Sequence, residues 1–105
     1  MTETDLKIIK EFAENSKVSQ RKLALKLGIS LGKTNYLINE LLNKGYIKIK
    51  RFKNSKNKIG YIYSLTPSGI NEKINLTYVF LKKKNEEYNN LKEEIKELER
   101  SLNIE

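Results

Sequence analysis

Apolar residues recur at helical spacing through the first part of the chain, change to every second position in the middle, and return to helical spacing up to the end. Leu6, Ile9, Phe12 and Ala13 predict a first helix that Thr4 can cap and that runs to Asn15. After a turn at Ser16 and Lys17, Ser19 is the expected N-cap of a second helix. Val18 before the cap and Leu23 at the fourth helical position form a hydrophobic staple, and Leu23, Ala24 and Leu27 make the buried side. Gly28 stops that helix, Ile29 anchors the turn, and Ser30 caps a third helix. Its inward stripe is Leu37, Ile38, Leu41 and Leu42, and Gly45 ends it.

A period of two follows. Ile47 and Ile49 alternate with Lys48 and Lys50, and Tyr61, Tyr63 and Leu65 alternate with Ile62 and Ser64, which predicts two strands of a hairpin. The loop between them, roughly Lys53 to Gly60, is rich in Asn, Lys and Ser, and is expected to extend into solvent or onto a ligand. Thr66 as N-cap and Pro67 at the first helical position open a last helix. No proline or glycine follows Gly69, so a helix of ~36 residues, about 54 Å long, is permitted to about Leu102. In heptads, Ile74, Leu81, Tyr88, Ile95 and Leu102 fill one seam position and Ile70, Thr77, Lys84, Leu91 and Leu98 the other. Tyr78, Val79 and Phe80 widen the apolar face near the helix start, where packing on the domain body is expected. The remaining stripe needs a partner, and a second copy of the chain is the economical one, with Ile74, Leu81, Tyr88, Leu91, Ile95, Leu98 and Leu102 as the dimer interface. The competing arrangement folds the stripe back on its own domain. The chain thus divides into a compact part, residues 1–66, and a long-helix part, residues 67–105.

Composition narrows the function. At 105 residues, 38% hydrophobic and 32% charged, the chain has material for one small core and an unusually charged surface. Residues 1–66 hold 14 of the 21 Lys and Arg but 5 of the 13 Asp and Glu, so this part carries +9 and the remainder −1. Between Glu40 and Glu72 there is no acid, while Lys44, Lys48, Lys50, Arg51, Lys53, Lys56 and Lys58 all fall there. Such a run favours a polyanionic partner. Without Cys or His there is no disulfide, no thiolate or imidazole metal site and no imidazole base; Asp5 is the single aspartate and no glycine loop cradles a phosphate. An enzyme is not expected, nor a metal or a cofactor. The start has no signal-peptide pattern and no run of ~18 apolar residues occurs, so a cytoplasmic protein with no membrane partner is expected.

Helix, helix, tight turn, helix and basic hairpin is the order of a winged helix-turn-helix: a mainly α fold with a small β-hairpin wing, here with a long C-terminal coiled-coil helix. The spacing of Ala24, Gly28, Thr34 and Leu37 resembles the helix-turn-helix signature, which usually has an apolar β-branched residue where Thr34 stands. The segment from Leu41 through Asn43, Lys44, Gly45, Tyr46 and Ile47 resembles the passage from recognition helix to first wing strand. Tyr63, Ser64, Leu65, Thr66 and Gly69 match the Tyr-x-Leu-Thr-x-x-Gly segment of MarR-like regulators. With Leu76, Thr77, Phe80, Leu81, Lys82 and Lys84, the whole chain resembles the short MarR-type regulators associated with exopolysaccharide biosynthesis genes. The resemblance implies a transcriptional regulator that binds double-stranded DNA and acts on a polysaccharide locus, and the seam of the last helix makes it a homodimer by expectation. The chain departs from ordinary MarR proteins in its short N-terminal helix and single C-terminal helix, which makes a small-molecule effector doubtful.

On this reading the outward side chains of the third helix, Leu31, Gly32, Lys33, Asn35, Tyr36 and Asn39, enter the major groove. Lys33 suits guanine or phosphate, and Asn35 or Asn39 suits adenine. Gly32 either lets the helix approach the DNA closely or is a tolerated weak helix former. Ser30 leaves helix-terminal N–H groups for a phosphate in addition to its capping role. Arg21 and Lys22 cross the backbone, and wing residues Lys48, Lys50, Arg51, Lys53, Lys56 and Lys58 follow phosphates, with Arg51 the candidate for the minor groove. Three rival readings are a protein adaptor using the C-terminal coiled coil, a nonspecific nucleic-acid binder, and an RNA binder stacking bases on Tyr36 and Tyr46.

Overall fold

The computed structural model describes residues 1–56 and 58–103. In chain order the elements are α1 (Glu3–Glu14), α2 (Gln20–Leu27), α3 (Leu31–Asn43), β1 (Ile47–Lys53), β2 (Ile59–Leu65) and α4 (Pro67–Asn103).

Thr2, not the expected Thr4, caps α1. Its hydroxyl accepts from the Asp5 N–H at 3.3 Å, while the Asp5 carboxylate accepts from the Thr2 N–H at 2.7 Å and from the Thr2 hydroxyl at 2.9 Å. This reciprocal box satisfies donors that a single capping bond would leave open. Because α2, α3, α4 and β2 all pack on α1, its buried side is wide and includes Leu6, Ile8, Ile9 and Phe12. Ala13, expected on that side, lies at its edge in the last turn and is exposed.

The second and third helices start and stop as their local signals dictate. Ser19 and Ser30 accept from the N–H groups of Lys22 (3.1 Å) and Lys33 (3.0 Å). Gly28 and Gly45 take left-handed conformations, φ 67° and 77°, in which the next N–H turns back onto the helix. Ile29 N–H reaches the Ala24 carbonyl at 3.1 Å, and Tyr46 N–H the Leu41 carbonyl at 3.0 Å. Within α3, Ile38 and Leu41 are buried and Leu37 half-buried, but Leu42 is exposed, and Thr34 takes the inward position one turn before Ile38. The Thr34 hydroxyl donates to the Ser30 carbonyl at 2.9 Å, so this polar group is fully buried without being left unpaired.

The hairpin pairs Ile47 with Leu65 and continues in antiparallel register to Lys53 with Ile59. Both strands run further than the alternation alone indicates, and the connection is correspondingly shorter than the expected Lys53 to Gly60. Phe52 lies across Gly60, where a Cβ would come within 2.6 Å of the ring, one pair before the end of the sheet. The Asn54 side-chain carbonyl accepts from the N–H groups of Lys56 and Lys58. At the other end, Ile47 and Tyr63 join the core, and the Tyr63 ring stacks on Phe12 at 4.5 Å.

The start of α4 is tied to the end of α3. The Thr66 hydroxyl donates to the Gly45 carbonyl and accepts from the Gly69 N–H, while the Thr66 N–H donates to the Tyr46 carbonyl. A Cβ on Gly69 would stand 1.9 Å from the Tyr46 carbonyl oxygen. Further along, Leu76 is buried and Phe80 packs against the core. Tyr78 and Val79, expected to share that packing, are 69% and 59% exposed, because only the i, i+4 pair 76 and 80 faces the body. Lys84 approaches Glu3 at 3.8 Å; beyond it α4 continues fully exposed to Asn103, and the molecule is 73 Å long.

Candidate nucleic-acid interface

Three inward residues, Thr34, Ile38 and Leu41, set the rotation of α3 on the core. Gly32, Lys33, Asn35, Tyr36 and Asn39 then lie off that side and are exposed, while Leu31, in line with Thr34 and Ile38, is exposed because it opens the helix. Gly32 would meet no protein atom within 4 Å if it bore a Cβ. Packing therefore places no demand for glycine there. Ser30 is engaged as the cap of the same helix.

Arg21 and Lys22 are exposed in the first turn of α2, beside this surface. The wing cations are exposed as well, but the sheet divides them. Side chains alternate along a strand, so Lys48 and Lys50, opposite Ser64 and Ile62, stand on one face. Arg51 and Lys53, opposite Tyr61 and Ile59, stand on the other. Lys56 and Lys58 are at the tip. Among the described residues, none of Arg21, Lys22, Lys33, Lys48, Lys50, Arg51, Lys53, Lys56 or Lys58 is within 4.0 Å of a carboxylate. The three lysines that do pair, Lys26, Lys84 and Lys96, lie off the α3 and wing surfaces. The positive field of this side is thus not cancelled within the chain, and it is directed outward from one helix and one hairpin.

Two residues on this surface were not anticipated. Lys17, in the turn before α2, places its ammonium 5.4 Å from the centre of the Phe52 ring, and with Arg21, Ile49, Ile59 and Tyr61 it lines a groove between the start of α2 and the wing. Gln20, the first residue of α2, bonds both to Tyr63 and to Asn35. Neither has a periodic or motif signal; their partners are brought close by folding alone.

The sequence profile described as winged helix-turn-helix DNA-binding matches residues 1–48. Its match ends at the first wing strand, and the hairpin and long helix described above complete the architecture. The fold is a winged helix. Solved structures with this winged helix include the transcriptional regulator BldR from Sulfolobus solfataricus, with a TM-score of 0.66 and 23% identity over 82% of this chain and 60% of that one. A mutant of MepR from S. aureus gives 0.64 and 19% over 97% of this chain and 80% of that one. A mutant of MarR from E. coli complexed with operator DNA gives 0.56 and 21% over 71% and 52%. This chain therefore spans about half to four-fifths of these proteins. No curated protein matches the sequence. Among the described residues, no helix is long and apolar enough to cross a membrane, and no group of three or more acidic residues could hold a metal ion.

Proposed function

We propose that this chain is a transcriptional regulator that binds double-stranded DNA as a homodimer and reads a two-fold operator. The observation that carries the reading is the α3 surface: a helix with exposed Lys33, Asn35 and Asn39, flanked by wing and α2 cations that pair with no carboxylate. A helix fits the major groove, where Asn and Lys can distinguish base pairs, and the wing cations neutralise phosphates alongside. The division of the wing cations suits a hairpin inserted beside the backbone, with Arg51 toward the minor groove and Lys48 and Lys50 toward phosphate. The winged-helix profile and the fold shared with a MarR protein solved on operator DNA support the same partner.

The C-terminal helix, residues 67–105, is the dimerisation element. From Ile74 to Leu102 its seam residues are 48% to 78% exposed in the single chain, an apolar stripe on a charged helix that a second copy would cover. Two recognition helices then read half-sites about 10 bp or a multiple apart. The sequence resemblance to exopolysaccharide-associated regulators supports a polysaccharide biosynthesis locus as the target and the cytoplasm as the place of action.

Selection of bound sequences from random duplexes tests this. The intact chain is expected to enrich an inverted repeat, and Lys33→Ala with Asn35→Ala to abolish the enrichment. If roughly six phosphates are neutralised per dimer, log affinity falls against log salt with a slope of about −5. Salt-sensitive binding with no enriched sequence makes the chain a nonspecific nucleic-acid binder, and no binding at low salt favours the protein adaptor.

A further inference from the structure

Four side chains from three elements form one hydrogen-bonded series that ends on the recognition surface. The Tyr63 ring is 2% exposed and stacks on Phe12 with an interplanar angle of 9°, so its hydroxyl is a fixed point of the core. Gln20 donates from Nε2 to that hydroxyl at 3.2 Å, and its Oε1 accepts from Asn35 Nδ2 at 3.1 Å. Asn35 Oδ1 in turn accepts from Asn39 Nδ2 at 3.1 Å, one helical turn further along α3.

An unrestrained asparagine on a helix surface can turn its amide over and exchange donor for acceptor. A reading group with two orientations discriminates poorly between bases, because each orientation suits a different edge. Here the three amides are linked, so that neither asparagine can turn over alone. With Oε1 of Gln20 facing Asn35, the Asn35 amide must present its NH2 to Gln20 and its oxygen to Asn39, and Asn39 must present its NH2 to Asn35. Among the described residues, each amide still has a free N–H and the Asn39 oxygen has no partner. An N–H beside a carbonyl oxygen is the pair that adenine meets at N7 and N6 in the major groove.

We infer that Gln20 is a positioning residue for base recognition: without touching a base, it holds Asn35 and Asn39 in the orientation that reads adenine. This rests on the DNA-binding function proposed above and adds to it a residue on α2 that determines specificity through α3. The restraint is independent of the wing lysines, which act on phosphate and carry no sequence information directly.

The test is the random-duplex selection repeated with Gln20→Ala, Gln20→Glu and Tyr63→Phe in the full chain, followed by affinity and salt dependence on the selected site and on versions with the adenine replaced. For the intact chain, replacing the adenine is expected to weaken binding about 10-fold or more, the usual worth of a bidentate base contact. Gln20→Ala is expected to reduce that discrimination to about 2-fold while the salt slope stays unchanged, since no phosphate contact is removed. Gln20→Glu keeps an acceptor for Asn35 and can accept from the Tyr63 hydroxyl. It should retain the adenine preference and lose affinity uniformly through its charge. Tyr63→Phe keeps the stacked ring but removes the anchor, and should relax the preference in the same direction as Gln20→Ala. Without DNA, the side-chain amide resonances of Asn35 and Asn39 should shift in Gln20→Ala, with the rest of the amide spectrum preserved.

Full adenine discrimination in Gln20→Ala, with the intact chain still selecting its operator, overturns the inference and leaves the DNA-binding function standing. Equal loss of binding to every sequence gives Gln20 a merely structural role and overturns it too. If the intact chain itself enriches no sequence, the proposed function and this inference fall together.

Discussion

Gly69 illustrates how much a single position can decide. Its Cα hydrogen faces the Tyr46 carbonyl, and the close approach that brings α4 against the end of α3 leaves no room for a methyl group. Gly69→Ala should therefore cost about 2–3 kcal/mol, read as a lower urea midpoint, with the shift coming from displaced backbone. Thr34 gives the opposite case. Its hydroxyl donates to the Ser30 carbonyl, but that carbonyl also accepts the Thr34 N–H at 3.0 Å, so Thr34→Val leaves no orphaned acceptor. Stability within about 1 kcal/mol of the parent is expected, and a loss beyond about 2 kcal/mol would contradict this account. The two glycine stops and the two serine caps were legible in the sequence because each acts on residues within five positions of itself. Gln20 was not, since its Tyr63 partner lies 43 residues away.

At the scale of elements, periodicity identified every helix and both strands, and the departures occur where neighbours outside the element decide. Ile8 is buried beyond the expected stripe because four elements pack on α1, and Ala13 is exposed because it lies at the edge in the last turn. The hairpin strands lengthened because cross-strand pairing through Phe52 and Gly60 continues past the alternation. The joint between α1 and α2 has its own electrostatic tie: Lys26 lies 2.7 Å from Glu11. The hydrogen bond to Glu11, then its charge, holds the Lys26 ammonium above its ordinary pKa of 10.5. A raised lysine pKa stabilises the fold at any pH below that ordinary value, and the contribution is lost as pH rises through the folded value. Lys26→Met should accordingly show a constant stability difference from the parent between about pH 6 and about pH 9, shrinking above about pH 10.5. Urea titrations of both proteins across this range check the sign.

At the scale of the whole molecule, the core and the first turns of α4 account for the compact body, while the exposed remainder of α4 accounts for the length of 73 Å. The dimer reading predicts that Ile95→Glu with Leu98→Glu yields a monomer in sedimentation equilibrium, with thermal unfolding of the winged helix little changed. Two linked half-site contacts bind far more tightly than one, so operator affinity should fall by about 100-fold or more. A parent chain that sediments as a monomer at operator-binding concentrations would refute the dimer itself.

The amino-acid sequence by itself determined the order of elements, the serine caps and glycine stops of α2 and α3, the concentration of positive charge before Pro67, and the outward residues of α3. These follow from local chemistry: helical and strand periods, side chains that bond to nearby backbone, and a charge that no nearby acid offsets. Tertiary structure alone decided that Thr66 and Gly69 bind α4 to the end of α3, and that Tyr63 reaches Asn39 through Gln20 and Asn35. Each of those depends on groups far apart in the chain meeting within about 3 Å, the length of a hydrogen bond. No spacing along the sequence encodes such a meeting, because it exists only once the core has set the angles between its elements.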